Sequence, residues 1–154
     1  MVWGAVSYNG KISLKFVEQG VKINAKHYQN EILTSTLIPN ISTLYSDNQW
    51  IFQQDSAPAH KTKSTQQWLV ENCPDFISSK EWPPSSPDLN PLDFSIRGTL
   101  EAIVNAKPHR SLELLKHMLI REWNRLQMDI VRAAIDTWRR QLALVVKHKE
   151  RRFE

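Results

Sequence analysis

The chain begins with an alternation of apolar and polar residues that is typical of a half-buried β-strand. Apolar side chains occupy every second position from Ile12 to Phe16, and this period places them on one face of a strand. Just before them, Asn9-Gly10 suits a two-residue type I′ turn. We therefore predict a β-hairpin over residues 2–17 with a type I′ turn at its tip.

Helical spacing replaces the alternation after the hairpin. From about Asn24 to Leu37, the inward-facing positions are Tyr28, Ile32, Leu33, Thr36 and Leu37. This spacing predicts a helix with one buried stripe. Pro39 disfavours its continuation, because proline lacks the backbone donor and its ring clashes with the preceding turn.

A short strand and a further helix follow. Residues 49–55 read as a strand with Ile51, Gln53 and Asp55 on one face, so Asp55 is expected at its C-terminal end. A helix is predicted from His60 to about Asn72, with Thr65, Trp68, Leu69 and Cys73 facing inward. Residues 76–78 predict one more short strand.

The second half of the chain reads as a proline-rich loop and three helices. Residues 82–91 contain four prolines, which exclude a regular helix, and a helix from Pro91 to about Val104 should carry Asp93 in its first turn. Ser111 should cap the next helix. Its stripe is Leu112, Leu115, Leu119, Trp123 and Leu126. The last helix, residues 129–147, has the stripe Val131, Ala134, Ile135, Trp138, Leu142 and Val145.

Length and cysteine content narrow the class of protein. A chain of 154 residues fits one domain with one sizeable core. Cys73 is the single cysteine and cannot form an internal disulfide, which favours a reducing compartment. No apolar run approaches the length of a membrane span, so we expect a soluble intracellular protein without a membrane partner.

Charge is concentrated near the C-terminus. The formal net charge is +4, and residues 132–154 contain seven lysines and arginines against three acidic residues. Arg139, Arg140, Lys147 and Lys149 are candidate contacts to nucleic-acid phosphates. A solvated helix face is the alternative interpretation of the same charges.

Two aspartates carry the candidate chemistry. Asp55 at a strand end and Asp93 at a helix start are what an α/β scaffold needs to bring carboxylates together, and oxygen ligands of this kind suit Mg²⁺ or Mn²⁺. Two-metal phosphoryl transfer usually needs three or more carboxylates. Alternatively, Asp55 forms a turn and Asp93 satisfies backbone donors at a helix start. His60 could orient an active-site group or only begin a helix.

Three motifs carry a family resemblance. They are Trp3-Gly-Ala-Val-Ser7, Gln54-Asp-Ser-Ala-Pro-Ala-His60 and Ser86-Pro-Asp-Leu-Asn-Pro-Leu-Asp93. In this order they resemble the catalytic domain of mariner-like transposases. The 37 residues 56–92 separate Asp55 from Asp93, which is similar to the mariner relatives with a 37-residue gap and a third aspartate. The resemblance extends to Trp138-Arg-Arg-Gln-Leu142. Arg97 departs from it, because relatives often have tryptophan there.

The resemblance implies a ribonuclease H-like α/β fold, similar to retroviral integrases, with a mixed sheet, flanking helices and C-terminal helices. It also implies cleavage and joining of DNA strands with two Mg²⁺ ions, for which Mn²⁺ can substitute. Asp55 and Asp93 would be the second and third catalytic acids and metal ligands. In the family, the first acid lies on an opening strand upstream of the Trp-Gly-Ala motif, which Met1 directly precedes here.

Residues 1–154 are therefore expected to be a catalytic domain that lacks its first strand and the N-terminal helix-turn-helix region. As such a chain it should be inactive or impaired, without end-specific DNA binding. The alternatives are a remnant that binds nucleic acid non-specifically or pairs with a full-length transposase, and a remnant that folds poorly. A homo-oligomer or a full-length transposase is the expected protein partner. A DNA partner implies a nuclear location.

Overall fold

The computed structural model describes residues 1–83, 86–106 and 108–150, without the side chains of residues 88, 139 and 145–150. The chain divides into two compact units. The first comprises residues 1–5 and 9–86, and the second comprises residues 6–8 and 87–154. Of the candidate phosphate contacts, the side chains of Arg139, Lys147 and Lys149 lie outside the described part.

The predicted hairpin is present. Strands β1 (Val2–Val6) and β2 (Lys11–Phe16) are hydrogen-bonded neighbours. At the end of the hairpin away from the turn, the Val17 N–H donates to the Met1 carbonyl at 2.8 Å, and the Met1 amino group donates to the Val17 carbonyl at 3.4 Å. The type I′ turn is wrong, because neither Asn9 nor Gly10 has the positive φ that this turn requires.

Contacts with a distant helix end replace the expected turn. The Asn9 backbone N–H donates to the Tyr45 hydroxyl at 3.3 Å, and its side-chain amide donates to the Leu44 carbonyl at 3.2 Å. At Gly10, a Cβ atom would lie 2.6 Å from a methyl carbon of Leu44. A side chain at position 10 would therefore require the Leu44 side chain to shift, and Gly10 does not have a left-handed backbone.

Helix α1 (residues 25–44) is longer than predicted. It consists of an α-helical turn, Ala25–His27, a π-helical stretch, Tyr28–Leu37, and an α-helical end, Ile38–Leu44. All five inward positions of the predicted stripe are buried. The expected stop at Pro39 is wrong: the Ile38 N–H donates five residues back, to the Leu33 carbonyl. This wider winding ahead of the proline gives its ring room that a regular α-helix lacks.

The second pair of strands is short and parallel. Strand β3 (Ile51–Phe52) pairs with β4 (Asp75–Phe76), with Ile51 opposite Asp75 and Phe52 opposite Phe76. The described strands thus form two separate two-stranded sheets, β1–β2 and β3–β4. The predicted strand over residues 49–55 is too long, because β4 offers backbone partners to two residues only. Asp55 consequently lies in the loop after the strand.

Two helices stand where the sequence predicted one. Helix α2 (Pro58–Lys61) and helix α3 (Lys63–Asn72) are separated by Thr62, whose extended backbone lets its hydroxyl accept the Thr65 N–H at 3.2 Å. This N-cap explains the break. The core of the first unit contains Ile12, Tyr28, Ile32, Leu33, Leu37, Ile41, Phe52, Ala59, Leu69 and Cys73.

The second unit is helical. Helix α4 (residues 92–105) begins with the π-helical turn Leu92–Ile96 and continues as Arg97–Asn105, so the predicted start after Pro91 is confirmed. Helices α5 (Leu112–Arg125) and α6 (Met128–Glu150) follow. Ser111 caps α5 as predicted, by accepting the Leu114 N–H at 3.2 Å.

The described buried residues of the second unit come from all three helices, the turn before them and the connection between α5 and α6. They are Leu89, Ile96, Leu100, Val104, Trp123, Leu126, Val131 and Ala134. Leu112, predicted to face inward, is 56% exposed, so this part of the predicted stripe of α5 is wrong. None of the described helices is long and apolar enough to cross a lipid bilayer.

Candidate active site

Asp55 lies in the first unit, in the loop between β3 and α2. Its Oδ1 atom accepts the Ala57 N–H at 3.0 Å, which makes it a turn-forming aspartate. The same oxygen lies 2.7 Å from Nδ1 of His60, and that nitrogen also lies 3.3 Å from the Asp55 carbonyl oxygen. The turn and the histidine contact therefore hold the same carboxylate oxygen.

The surroundings of Asp55 favour its charged form. The hydrogen bond from His60 is the main cause that lowers the pKa of Asp55, and the Ala57 N–H and the charge of His60 act in the same direction. Partial burial opposes them without reversing the shift. Because the Asp55 side chain is also 52% exposed, it presents an ionised carboxylate to solvent at neutral pH.

Tyr28 connects this loop to the core. Its ring centroid lies 4.2 Å from that of His60, with the ring planes at 32°, and its hydroxyl donates to Oε1 of Gln54 at 2.7 Å. Burial, and secondarily the charge of Asp55, raises the pKa of Tyr28 well above its usual value. The phenol therefore stays a neutral donor. The helical spacing of the sequence predicted Tyr28 as a core residue only, and no pattern in the chain indicated its contact with His60.

Asp93 lies in the second unit, in the first turn of α4. Its Oδ1 is 3.6 Å from a guanidinium nitrogen of Arg97. The Arg97 Nε donates to Glu101 at 3.0 Å, and Glu101 is the main cause that raises the pKa of Arg97, with a smaller contribution from Asp93. The backbone-capping role weighed for Asp93 belongs instead to Asn90, whose side-chain oxygen accepts the Leu92 N–H at 3.1 Å.

The two candidate ligands lie in different units, and each fits a divalent cation to a different degree. Asp55 is an ionised, solvent-facing oxygen ligand of the kind that Mg²⁺ and Mn²⁺ prefer. Asp93 is less exposed and already paired with a cation. Within residues 1–83, 86–106 and 108–150, no group of three or more histidine, cysteine, aspartate or glutamate side chains could hold a metal.

Of the basic residues that are candidate phosphate contacts, the structure describes the side chain of one. Arg140 is exposed on α6. Arg132, on the same helix, serves the structure of the second unit: its Nε donates to the Tyr8 carbonyl at 3.1 Å, and its guanidinium carbon lies 5.6 Å from the Tyr8 ring centroid. Arg140 is thus the candidate phosphate contact whose position is known.

Comparison with known proteins identifies relatives in one functional class. The chain is 29% identical over 151 residues to the Tc3 transposase of Caenorhabditis elegans. The matched region covers 96% of this chain and 43% of that relative. The chain is 24% identical over 156 residues to the Tcb2 transposase of Caenorhabditis briggsae, covering 97% of the chain and 52% of the relative. The chain thus spans about half the length of these relatives. No protein-family model matches it.

Solved structures show the same fold. The Mos1 transposase catalytic domain with raltegravir and Mg has a TM-score of 0.77 at 18% identity, covering 89% of this chain and 68% of that one. The Mos1 mariner paired end complex with Mn has a TM-score of 0.78 at 19% identity, and the match covers 91% of this chain and 40% of that one. The predicted fold class is confirmed. The chain is homologous to the Tc3 and Tcb transposases, which confirms the resemblance read from its three motifs.

Proposed function

We propose that this chain is a transposase-type catalytic module whose substrate is the phosphodiester backbone of DNA. The observation that carries the proposal is the ionised, half-exposed carboxylate of Asp55 in a chain homologous to transposases along 96% of its length. Such a carboxylate, kept charged at neutral pH, is what a magnesium-dependent phosphoryl-transfer site requires from its protein ligands.

Asp55 and Asp93 are the proposed metal ligands, with Mg²⁺ as the cation and Mn²⁺ as its substitute. Bound cations would supply positive charge for the attacking and leaving oxygens. Asp55 contributes an oxygen ligand that His60 and the Ala57 N–H hold in place. Asp93 is the other proposed ligand, and its Oδ1 lies 3.6 Å from a guanidinium nitrogen of Arg97, with which a cation would compete. Solved Mos1 structures with Mg and with Mn support this choice of metals.

DNA is the proposed partner, with further copies of the chain or a longer transposase as protein partners and the nucleus as the location. The solved paired-end and strand transfer complexes of Mos1 support this assignment. Arg140 is the proposed phosphate contact on α6, because its side chain is exposed and arginine offers several donors to phosphate oxygens.

Nicking of supercoiled plasmid DNA tests the proposal. The purified chain should nick plasmid in Mn²⁺ or Mg²⁺ at the low rate expected of an impaired catalytic domain, and Asp55→Asn and Asp93→Asn should each abolish the product. Asp47→Asn is the matched control, because the Asp47 carboxylate also accepts a backbone N–H two residues ahead, that of Gln49 at 3.1 Å. Product that persists in both variants, or no product from the unsubstituted chain, would contradict strand cleavage by this module.

A second candidate function is metal-independent DNA binding. It is favoured by the excess of basic over acidic residues in the range 132–154 and by the exposed side chain of Arg140. Binding of this kind weakens steeply with added salt, because phosphate contacts release counterions. Salt-sensitive DNA binding that Arg140→Gln weakens and Asp55→Asn leaves unchanged, in a chain without nicking activity, would favour this function over the first.

A further inference from the structure

His60 holds one oxygen of the Asp55 carboxylate and leaves the other open. Its Nδ1 lies 2.7 Å from Oδ1, and the Ala57 N–H reaches the same atom at 3.0 Å. Among the described residues, no hydrogen-bond donor contacts Oδ2. The carboxylate is therefore held in one orientation by two donors on one oxygen, while the second oxygen stays available to a ligand.

The ring of His60 packs against one aromatic side chain, and the backbone of His60 is held by two glutamines. The ring of Tyr28, which is 1% exposed, packs against the imidazole. The His60 carbonyl accepts hydrogen bonds from Nε2 of Gln66 at 2.9 Å and from Nε2 of Gln54 at 3.5 Å. Helix α1, the loop after β3 and helix α3 thus all constrain His60.

We propose that His60 is a positioning residue for Asp55: its Nδ1–H fixes the carboxylate so that Oδ2 faces a divalent cation. This inference rests on the proposed function, because it assumes that Asp55 binds a metal. Groups that orient a metal ligand by hydrogen bonding typically change metal affinity 10–100-fold when removed. His60 therefore acts through Asp55 and is not itself assigned as a ligand.

Two variants separate positioning from packing. His60→Phe keeps an aromatic ring against Tyr28 and removes the N–H donor, whereas His60→Asn removes the ring and keeps an N–H at the place of Nδ1. A positioning role predicts that His60→Phe weakens Mn²⁺ binding about tenfold and that His60→Asn stays close to the unsubstituted chain. If His60 serves packing alone, His60→Phe should be more thermally stable than His60→Asn, and the two variants should bind Mn²⁺ equally well.

Mn²⁺ affinity is measured on the full chain by counting free Mn²⁺ with electron paramagnetic resonance, with Asp55→Asn setting the affinity expected without the site. Nitrogen-15 NMR of the metal-free chain reports independently which His60 ring nitrogen carries a proton. A protonated Nδ1, together with weaker Mn²⁺ binding in His60→Phe only, would support the inference. An unprotonated Nδ1 facing Asp55 would overturn it.

The two proposals fail in different ways. If Mn²⁺ binding depends on Asp55 but is equal in His60→Phe and His60→Asn, the positioning role is wrong and the metal role of Asp55 stands. If the unsubstituted chain binds Mn²⁺ no better than Asp55→Asn, the metal role itself is wrong and the positioning role falls with it.

Discussion

The hydroxyl of Tyr28 donates a hydrogen bond to Oε1 of Gln54 at 2.7 Å, while the ring of the same residue packs against His60. One buried side chain thereby orders both ends of the loop that carries Asp55. The ring contact and the hydrogen bond are separable by substitution, because phenylalanine keeps the ring and loses the hydroxyl.

Tyr28→Phe should lower the free energy of unfolding by about 1 kcal/mol, since it leaves the Gln54 oxygen without its buried donor. Urea unfolding followed by circular dichroism measures the change. Tyr45→Phe is the matched control, because the Tyr45 hydroxyl makes a longer contact, 3.3 Å from the Asn9 N–H, in an exposed position. Equal losses in the two variants would show that the Tyr28 hydroxyl has no special role.

Because of Asp55, the free energy of unfolding should fall as the solution becomes acidic. The pKa of Asp55 is lowered in the folded chain, mainly by the hydrogen bond from His60, so the unfolded chain binds more protons between the two pKa values. Its stabilisation is fully present above the unfolded pKa of about 3.9 and disappears as pH falls through the lower folded value. Unfolding at pH 2–6 should show this dependence reduced in Asp55→Asn and unchanged in Asp47→Asn.

Arg97 should weaken cation binding at Asp93, because its guanidinium lies 3.6 Å from the carboxylate. Arg97 is solvent-exposed, so the pair is screened by water and worth up to about 1 kcal/mol, and Arg97→Gln should strengthen Mn²⁺ binding by up to about fivefold. Arg125→Gln removes the same charge from an arginine that is equally exposed and lies 3.6 Å from Glu122. A gain shared by both variants would reflect net charge rather than the Asp93 pair.

Cys73 should react slowly with thiol reagents. Burial raises the pKa of its thiol to about 11, so only about one molecule in a thousand carries the reactive thiolate at pH 8. Iodoacetamide labelling followed by mass spectrometry should be slow in buffer and fast in urea. Rapid labelling of the folded chain would mean that the core around Cys73 opens readily.

Hydrophobic periodicity identified most elements, and its failures have local causes. The hairpin, the stripe of α1 and the Ser111 cap depend on residues within a few positions of one another, which sequence patterns report directly. Pro39 does not end the helix as predicted, because the preceding turns of α1 are π-helical. Thr62 split a predicted helix because its hydroxyl caps α3, and threonine is a common N-cap that the periodicity did not single out.

By itself, the sequence determined the elements of the fold, the two candidate acids and the resemblance to transposases, because motifs and periodicity are carried by neighbouring residues. Only the tertiary structure decided what surrounds those acids. Tyr28, on a helix far upstream, reaches both His60 and Gln54 and so orders the loop that carries Asp55. Charge state and ligand availability depend on distances in space and on burial, which no linear pattern encodes.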